Sequence, residues 1–196
     1  MGSAANKKLR QTKLQSLLAK NPFLTDENLA EQFEVSIQTI RLDRLALGIP
    51  ELRERTRFMA ENAQKKLQSI TSADIVGELI DLEMGASGIS MLTVTREMIL
   101  QKTGVCREQY LFAQANSLAL AIIDAPSIQS SVANVKYKIP VYAGSVVVAR
   151  AEVKRKQDNK YTIWVKIRNN RKEVFRAKFL IASLPEERGQ EDENRS

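Results

Sequence analysis

The sequence contains no histidine and only one cysteine, Cys106, among its 196 residues. Without an imidazole the chain cannot build a Ser-His-Asp or Cys-His catalytic group, nor a zinc site that needs histidine ligands. A single cysteine excludes an intrachain disulfide and a cysteine-cluster metal site, as is usual in a reducing compartment. The sequence therefore predicts no metal site and no catalytic residue of these classes.

Long apolar runs are absent as well. No segment approaches the ~18 consecutive apolar residues that a membrane-spanning helix requires. The first residues, MGSAANKK, lack the apolar core of a signal peptide. These absences predict a cytoplasmic protein that has no membrane partner.

The sequence carries a formal net charge of +7, and the basic excess is spread over two segments. Residues 1–70 hold 12 basic and 8 acidic side chains, residues 71–180 hold 16 and 10, and residues 181–196 hold 2 and 5. This distribution fits two anionic partners, one for each half of the chain. It fits a generally basic surface equally well.

The first 49 residues have the pattern of three short helices. Apolar residues recur at helical spacing over residues 7–20. Thr25 is a favourable N-cap for a second helix, and Ser36 for a third helix that reaches about Leu47. Two short helices joined by a tight turn, with another helix ahead of them, predict a helix-turn-helix domain over residues 1–49.

The second helix of such a motif enters the major groove of DNA and reads base edges with its exposed side chains. Helical spacing predicts that Ile37, Ile40 and Leu45 face inward. The residues expected to contact DNA are then Ser36, Gln38, Thr39, Arg41 and Arg44. Glutamine pairs with adenine, arginine with guanine or phosphate, and threonine with phosphate or a thymine methyl group. The alternative from the pattern alone is a three-helix packing unit with a solvated charged face.

Residues 50–71 are predicted to form an amphipathic linker helix. Its apolar positions lie three or four residues apart up to Ile70, which gives a narrow stripe about 30 Å long. Four of these positions are assigned to a conformational switch: Leu52, Met59, Ala63 and Leu67. Such a stripe needs a partner surface. The partner is either the helix's own domain, which makes it a solvated connector, or a surface shared between protomers or states.

Beyond residue 71 the hydrophobic period changes to that of strands around one helix. Strands are predicted over residues 75–84, 87–95, 130–139, 145–156, 160–169 and 173–183. The segment 107–124 is apolar on nearly all sides, so it is expected to be a buried helix. The order predicts an α+β domain over residues 72–184, with an antiparallel sheet wrapped around a central helix. Residues 185–196 are polar and acidic and are predicted to be a disordered tail.

Several segments match the sequence patterns of known families. Residues 28–44, NLAEQFEVSIQTIRLDR, resemble the DeoR-type winged-helix pattern, and IPELR follows at residues 49–53. The proline and glycine spacing within residues 139–153 is similar to that of hotdog domains, and LFAQANSLA at residues 111–119 resembles the central helix of the FapR family. Together these segments resemble the FapR family of bacterial lipid-synthesis repressors.

The resemblance implies a homodimeric repressor of fatty acid and phospholipid synthesis genes. Its helix-turn-helix (winged-helix-like) domain would bind a double-stranded DNA operator. Its hotdog domain would dimerise and bind the effector, malonyl-CoA or malonyl carrier protein, and the operator would then be released. The resemblance implies neither an enzyme activity nor a cofactor. Hotdog thioesterases need a carboxylate near the central helix, where this sequence has the amide of Asn116.

Four residues of the central helix are assigned to effector binding: Arg107, Glu108, Phe112 and Asn116. Arg107 matches the FapR arginine that holds the malonyl carboxylate, a group that suits the guanidinium fork. FapR proteins usually have Ala-Arg-Gly where this sequence has Cys106-Arg107-Glu108. Glu108 therefore has three interpretations: a site that has shifted to another acyl group, a side chain that points outward, or a thioesterase-like carboxylate.

Two other functions stay open at this stage. A DNA-binding protein whose degenerate hotdog domain only dimerises would ignore every acyl-CoA. An acyl-CoA thioesterase would hydrolyse its substrate through a carboxylate such as Glu108. The amides of Asn116 and Gln114 have a structural alternative, in which they bond to nearby backbone, and Arg107 has one as a solvent-exposed arginine.

Overall fold

The structure is a computed structural model in which residues 2–184 are described. The helices are α1 (Gly2–Lys20), α2 (Asp26–Phe33), α3 (Ile37–Ala46), α4 (Leu52–Gln64) and α5 (Glu108–Ala121). The strands are β1 (Glu78–Glu83), β2 (Ser87–Thr93), β3 (Ile128–Tyr137), β4 (Val146–Gln157), β5 (Lys160–Asn169) and β6 (Lys172–Ser183). The predicted tail, residues 185–196, lies outside the described residues. The chain divides into two compact units, with the boundary between Met59 and Ala60 inside α4.

The N-terminal unit contains the predicted helix-turn-helix in α2 and α3. Thr25 caps α2, because its hydroxyl accepts a hydrogen bond from Asn28 N at 3.2 Å and its own backbone N donates one to Asn28 Oδ1 at 3.4 Å. Ser36 caps α3 by accepting from Thr39 N at 3.2 Å. Glu34, at φ +53°, takes the left-handed conformation that ends α2. Residues 2–59 contain no strand, so this helix-turn-helix has no β wing among the described residues.

A small apolar core joins the three helices of this unit. It consists of Leu14, Leu18, Leu29, Ala30 and Ile40. These residues come from α1, α2 and α3, so each helix buries one face against the other two. The core fixes the orientation of α3 within the unit.

The linker helix is shorter than predicted. Helix α4 ends at Gln64, so it is about 20 Å long at 1.5 Å per residue. Its end tightens, since Lys66 N and Leu67 N donate to carbonyls only three residues back. The prediction of a helix through Ile70 is wrong because Leu67 and Ile70 pack against the core of the C-terminal unit instead. The hydroxyl of Ser69 donates to Leu120 O at 2.9 Å and holds this segment there.

The C-terminal unit is one antiparallel sheet packed around a buried helix, as predicted. The strand order is β1-β2-β4-β5-β6-β3. Burial alternates along β5, where Ile163, Val165 and Ile167 face inward. Helix α5 supplies fully buried Leu118 and Ala119 to the same core. The sheet therefore has an inner face against α5 and an outer face turned away from it.

Gly88 in β2 sets how closely α5 approaches the sheet. A Cβ at this position would lie 2.8 Å from Ile122 Cγ2 and 3.1 Å from Leu118 Cδ1. Because Gly88 has no side chain, the end of α5 can occupy the space that a Cβ would fill.

Strand β3 follows α5 in sequence but lies at the edge of the sheet, where β6 is its only strand partner among the described residues. Within residues 2–184, no helix is both long and apolar enough to cross a bilayer.

Candidate functional site

The exposed face of α3 is the candidate DNA-reading surface. Gln38 and Arg41 are exposed as predicted. Leu42 and Leu45 are 57% and 74% exposed and share this face. Counted from Gln38, the residues Arg41, Leu42 and Leu45 lie three, four and seven positions further along the helix. The prediction that Leu45 faces inward is wrong. An apolar side chain on a recognition helix can contact a thymine methyl group. Leu42 and Leu45 are therefore two further candidates for DNA contact, which the sequence pattern did not predict.

Arg44 is buried, which contradicts the prediction that it faces DNA. Its side chain is 3% exposed and lies against Asp26, with Nε 2.7 Å and Nη2 2.8 Å from the two carboxylate oxygens. Its remaining nitrogen, Nη1, donates to Ile49 O at 3.2 Å. The hydrogen bond from Arg44, followed by nearby positive charge, holds the pKa of Asp26 below its usual value. Arg44 thus fixes α3 to α2.

A second ion pair fixes α3 to α1. Asp43 is 1% exposed, and its carboxylate accepts from Arg10 Nε at 2.6 Å and from Gln11 Nε2 at 2.9 Å. Consecutive polar residues at 43 and 44 are therefore both internal. The sequence pattern placed Arg44 on the surface and made no assignment for Asp43, because it does not show the partners that make their burial possible.

Ser36 and Thr39 form the start of α3. The two hydroxyl oxygens lie 2.9 Å apart, and Ser36 is exposed while Thr39 is half-buried. The capping contact uses the Ser36 oxygen, so both residues first stabilise the helix start. Their exposed atoms lie at a helix N-terminus, a position where backbone N–H groups favour a phosphate.

Arg107 directly precedes α5 in the C-terminal unit. It is the N-cap of the helix, and its Nη2 donates to Glu97 O and, at 3.4 Å, to the Tyr110 hydroxyl. The guanidinium carbon is 5.3 Å from the centre of the Tyr110 ring. Nε of Arg107 is buried and has no hydrogen-bond partner among the described residues. A buried donor without a partner costs about 1–3 kcal/mol, so it favours a ligand that accepts from it.

Gln114 is a second buried polar residue on α5, and it was considered from sequence only as a structural amide. It is fully buried, and its Nε2 lies 3.3 Å from both Ser90 O and Ser90 Oγ. Its Oε1 has no hydrogen-bond partner among residues 6–184. Arg107 and Gln114 are seven residues apart, which places them on the same side of the helix about 10 Å along its axis. The two unpartnered atoms thus belong to one side of α5.

The other three predicted effector residues follow a different face of α5. Glu108, Phe112 and Asn116 are spaced four residues apart. The Phe112 ring centre lies 6.0 Å from that of Phe179 in β6. Asn116 is half-buried, with no side-chain hydrogen bond to any residue from 6 to 184. Arg107 therefore lies on a different side of α5 from these three residues.

Glu108 is exposed and turned toward β3. Burial, with a smaller contribution from the negative charge of Glu108, raises the pKa of Tyr137. Glu108 and Arg107 form no ion pair with each other among the described residues. Of the three interpretations of Glu108, the outward-pointing side chain agrees best with this placement.

The four predicted switch residues do not share one helix. Leu52 and Met59 are half-buried in the N-terminal unit, whereas Ala63 is 2% exposed and joins the core of the C-terminal unit. Leu67 lies beyond the end of α4 and packs against that core. The predicted stripe is therefore divided between the two units.

Arg55 anchors the first half of α4 and was not singled out by the sequence reasoning. Its guanidinium donates to three backbone oxygens: Pro50 O at 2.6 Å, Leu24 O at 2.8 Å and Pro22 O at 3.1 Å. Burial lowers the pKa of this guanidinium. No carboxylate takes part, so only the fold reveals this contact.

No group of three or more acidic or cysteine side chains within the described part of the chain could hold a metal ion. The candidate sites are therefore the exposed face of α3 and the inner side of α5, each within its own unit.

Comparison with known proteins agrees with this architecture. The chain is 50% identical over 187 residues to Transcription factor FapR of Caldanaerobacter subterraneus subsp. tengcongensis, which covers 95% of this chain and 94% of the relative. It is 44% identical over 170 residues to Transcription factor FapR of Bacillus cytotoxicus, 86% of each chain. No protein-family model matches the sequence.

Solved structures resemble the C-terminal part of the chain. A sigma28-regulated virulence protein from Campylobacter jejuni has a TM-score of 0.61 at 19% identity and covers 66% of this chain and 92% of its own. The PaaI protein of the E. coli phenylacetic acid degradation operon has a TM-score of 0.51 at 20% identity and covers 55% and 79%. Identities this low show the fold alone, which is the hotdog fold.

The chain has a helix-turn-helix unit followed by a hotdog domain. It is therefore a transcription factor of the class that combines these two parts. With relatives at 42–51% identity over most of its length, the chain belongs to the Transcription factor FapR family.

Proposed function

We propose that this protein represses fatty acid and phospholipid synthesis genes and leaves its operator when malonyl-CoA or malonyl carrier protein binds the hotdog domain. The observation that carries the effector half of this proposal is the pair of unpartnered buried atoms, Arg107 Nε and Gln114 Oε1. One is a cationic donor and the other is a neutral acceptor. A ligand with a carboxylate and a hydrogen-bond donor would satisfy both.

The chemistry of α5 favours a carboxylate at its first turn. The Arg107 guanidinium offers a charge-assisted hydrogen bond, and the N-terminus of the 14-residue helix adds unbonded backbone N–H groups and positive dipole potential. The malonyl group carries the carboxylate that such a corner selects, whereas an acetyl group does not. Asn116, half-buried on the other face, is available to the thioester or to the pantetheine amides.

The protein acts without catalysis in this proposal. The polar side chains of the buried part of α5 include Gln114 and Ser117, neither of which ionises as a general base at neutral pH. Glu108 is the one acid of α5, and it is exposed. The site therefore suits binding of a thioester better than its hydrolysis.

On DNA, α3 reads the major groove through its exposed face. Gln38 and Arg41 form the polar contacts to base edges and phosphates, and Leu42 and Leu45 contact thymine methyl groups. Ser36, at the start of the helix, is placed for a phosphate. Thr39 supports Ser36, and Arg44 positions the helix rather than touching DNA.

Dimerisation through β3 supplies the second recognition helix. The strand is ten residues long, and its free edge presents unpaired backbone groups, while Val132 is 56% exposed. Pairing two such edges about a twofold axis closes both of them and matches a palindromic operator. We expect sedimentation velocity to find a dimer, and Val132→Glu to shift it toward the monomer by placing like charges near the axis. A monomer for the unaltered chain contradicts this assembly.

Helix α4 is the proposed switch element. Effector binding must favour one arrangement of the DNA-binding units over another, since a ligand that binds both equally shifts nothing. Leu52 and Met59 are the half-buried apolar residues of α4 within the N-terminal unit. Met59→Asp is expected to change operator affinity or effector-induced release. If both stay unchanged, α4 does not carry the switch.

Fluorescence anisotropy on a promoter fragment at fixed salt tests the effector proposal. Malonyl-CoA is expected to release the DNA, while acetyl-CoA and free CoA are not. Arg107→Ala should weaken the malonyl-CoA response about 10- to 100-fold, the value of a charge-assisted hydrogen bond, and leave operator affinity intact. Arg96→Ala, an exposed arginine in the 3₁₀ turn before α5, is the matched control.

The same titration separates the alternatives. Operator binding that no thioester disturbs would mean that the hotdog domain only dimerises. Hydrolysis of malonyl-CoA that disappears in Glu108→Gln would make the protein a thioesterase.

A further inference from the structure

The outer face of the sheet carries a row of four cations. Arg150, Lys166, Arg176 and Lys136 lie at directly paired positions on β4, β5, β6 and β3. Neighbouring strands are about 4.8 Å apart, so the row is about 14 Å long. Glu152 and Glu173 lie outside the row and pair with its members only at 3.4 Å and 3.8 Å. The middle of the sheet therefore presents a continuous line of positive charge.

This row is unfavourable for the isolated sheet. Like charges at directly opposite positions repel each other and destabilise a strand pair. Lys136 and Lys166 form no ion pair with any residue from 6 to 184. An anionic partner that follows the row would remove this repulsion.

Trp164 lies in the next row, paired with Glu152 of β4 on one side and with Lys178 of β6 on the other, and Lys178 is in turn paired with Asn134. The carboxylate of Glu152 forms ion pairs with Arg150 and Lys154, so its negative charge is offset by these cations. Trp164 is the only tryptophan of the chain and is 39% exposed. A cavity of about 190 Å³ opens beside it, lined by Asn134, Lys136, Trp164, Arg176, Ala177 and Lys178. An aromatic ring, an amide and three cations thus surround one depression.

We propose that this outer face binds single-stranded nucleic acid, with one base stacked on Trp164 and successive phosphates along the cation row. Stacking on aromatic side chains beside a positively charged groove is the general mode of single-strand binding. A duplex does not fit, because its bases are stacked inside and offer no free ring face. An acidic lipid surface fits poorly, since the cavity walls besides the indole and Ala177 are polar or cationic.

This surface is separate from the proposed operator and effector sites. It lies on the face of the sheet turned away from α5, and its residues belong to β3, β4, β5 and β6 rather than to α3. Edge-to-edge pairing through β3 leaves the faces of the sheet open. The proposal therefore stands or fails independently of the effector and operator proposals.

Tryptophan fluorescence of the full-length protein tests the site directly, because Trp164 is the only source of the signal. Eight-nucleotide single strands of DNA and of RNA are titrated separately, which tells the two sources of the strand apart. Saturable quenching by either strand is expected. With four phosphates neutralised, log K should fall with log salt at a slope of about −3. Equal quenching by a duplex of the same length, by polyphosphate or by phosphatidylglycerol vesicles overturns the proposal.

Variants separate stacking from charge, read by the anisotropy of a labelled strand. Trp164→Ala should weaken binding roughly tenfold, whereas Trp164→Phe should keep most of it. Lys136→Gln with Lys166→Gln, which removes two of the four cations of the row, should make the salt slope shallower by about 1.4. Lys65→Gln with Lys102→Gln, two exposed lysines outside this face, is the matched control. An unchanged slope in the Lys136/Lys166 variant, with its thermal unfolding midpoint intact, also overturns the proposal.

Discussion

Gly77, just before β1, is the glycine whose substitution the fold is expected to tolerate least well. Its φ is +90°, and a Cβ there would lie 2.4 Å from Met91 O. We expect Gly77→Ala to destabilise the C-terminal unit by about 2 kcal/mol or more, through backbone strain together with this clash. Gly85→Ala is the control, because Gly85 has a φ of +73° but no atom within 4 Å of the added Cβ. Equal losses of thermal stability in both variants would show that the clash at Gly77 is relieved.

Single residues were predictable where their polarity agreed with their position. Gln38 and Arg41 were placed correctly on the surface of α3, and the helix caps Thr25 and Ser36 formed as expected. Arg44 and Leu45 exchanged roles, since a buried arginine is stable only with a partner such as Asp26, 18 residues away. Helical spacing contains no information about that partner.

The ion pair between α2 and α3 makes the helix-turn-helix sensitive to acid. The hydrogen bond from Arg44 lowers the pKa of Asp26 below its usual value of 3.8. A lowered carboxyl pKa contributes stability above the unfolded-state pKa, and this contribution is lost as pH falls through the folded-state pKa. We expect Asp26→Asn to remove the part of the acid-induced loss of stability that comes from protonation of Asp26.

Urea unfolding of the helical signal between about pH 5 and about pH 2 measures the effect. Asp26→Asn should be less stable than the unaltered protein at the upper end and approach it at the lower end. Glu31→Gln, an exposed acid of the same helix, should keep the original pH dependence. A constant stability difference between Asp26→Asn and the unaltered protein at every pH would contradict the role of the ion pair.

Among the elements, the sheet was easier to predict than the linker. Strands β2 to β6 lie within two residues of their predicted ends, because alternating burial and the turns at Asp158 and Asn170, both with positive φ, limit them. The linker helix ended six residues early. Its apolar spacing continues to Ile70, but Leu67 and Ile70 pack against the hotdog core instead of extending the helix. Gln114 shows the same limit, since only the fold shows that its Oε1 is left without a partner.

At the scale of the whole molecule, the unit boundary inside α4 predicts a dependence on helical phase. Each residue inserted between Met59 and Ala60 rotates one unit relative to the other by about 100° and adds about 1.5 Å. One inserted alanine should therefore abolish cooperative operator binding or its release by effector. Seven inserted residues nearly restore the phase and should restore much of the function.

Operator binding and effector release of the two insertion variants are measured by anisotropy on the same promoter fragment. Intact folding of both is checked by their thermal unfolding midpoints. Equal activity of the one-residue and seven-residue variants would mean that α4 joins the units without transmitting orientation.

The position of β3 at the sheet edge has a consequence for the order in which the protein forms during synthesis. The strand leaves the ribosome directly after α5, yet its partner is β6, and Ile128 pairs with Ser183, 55 residues later in the chain. Contacts of such long sequence separation form late and slowly. The DNA-binding unit, whose contacts lie within the first 59 residues, can therefore fold while the hotdog domain is still being translated. Each new chain can thus form its helix-turn-helix before its hotdog domain is complete.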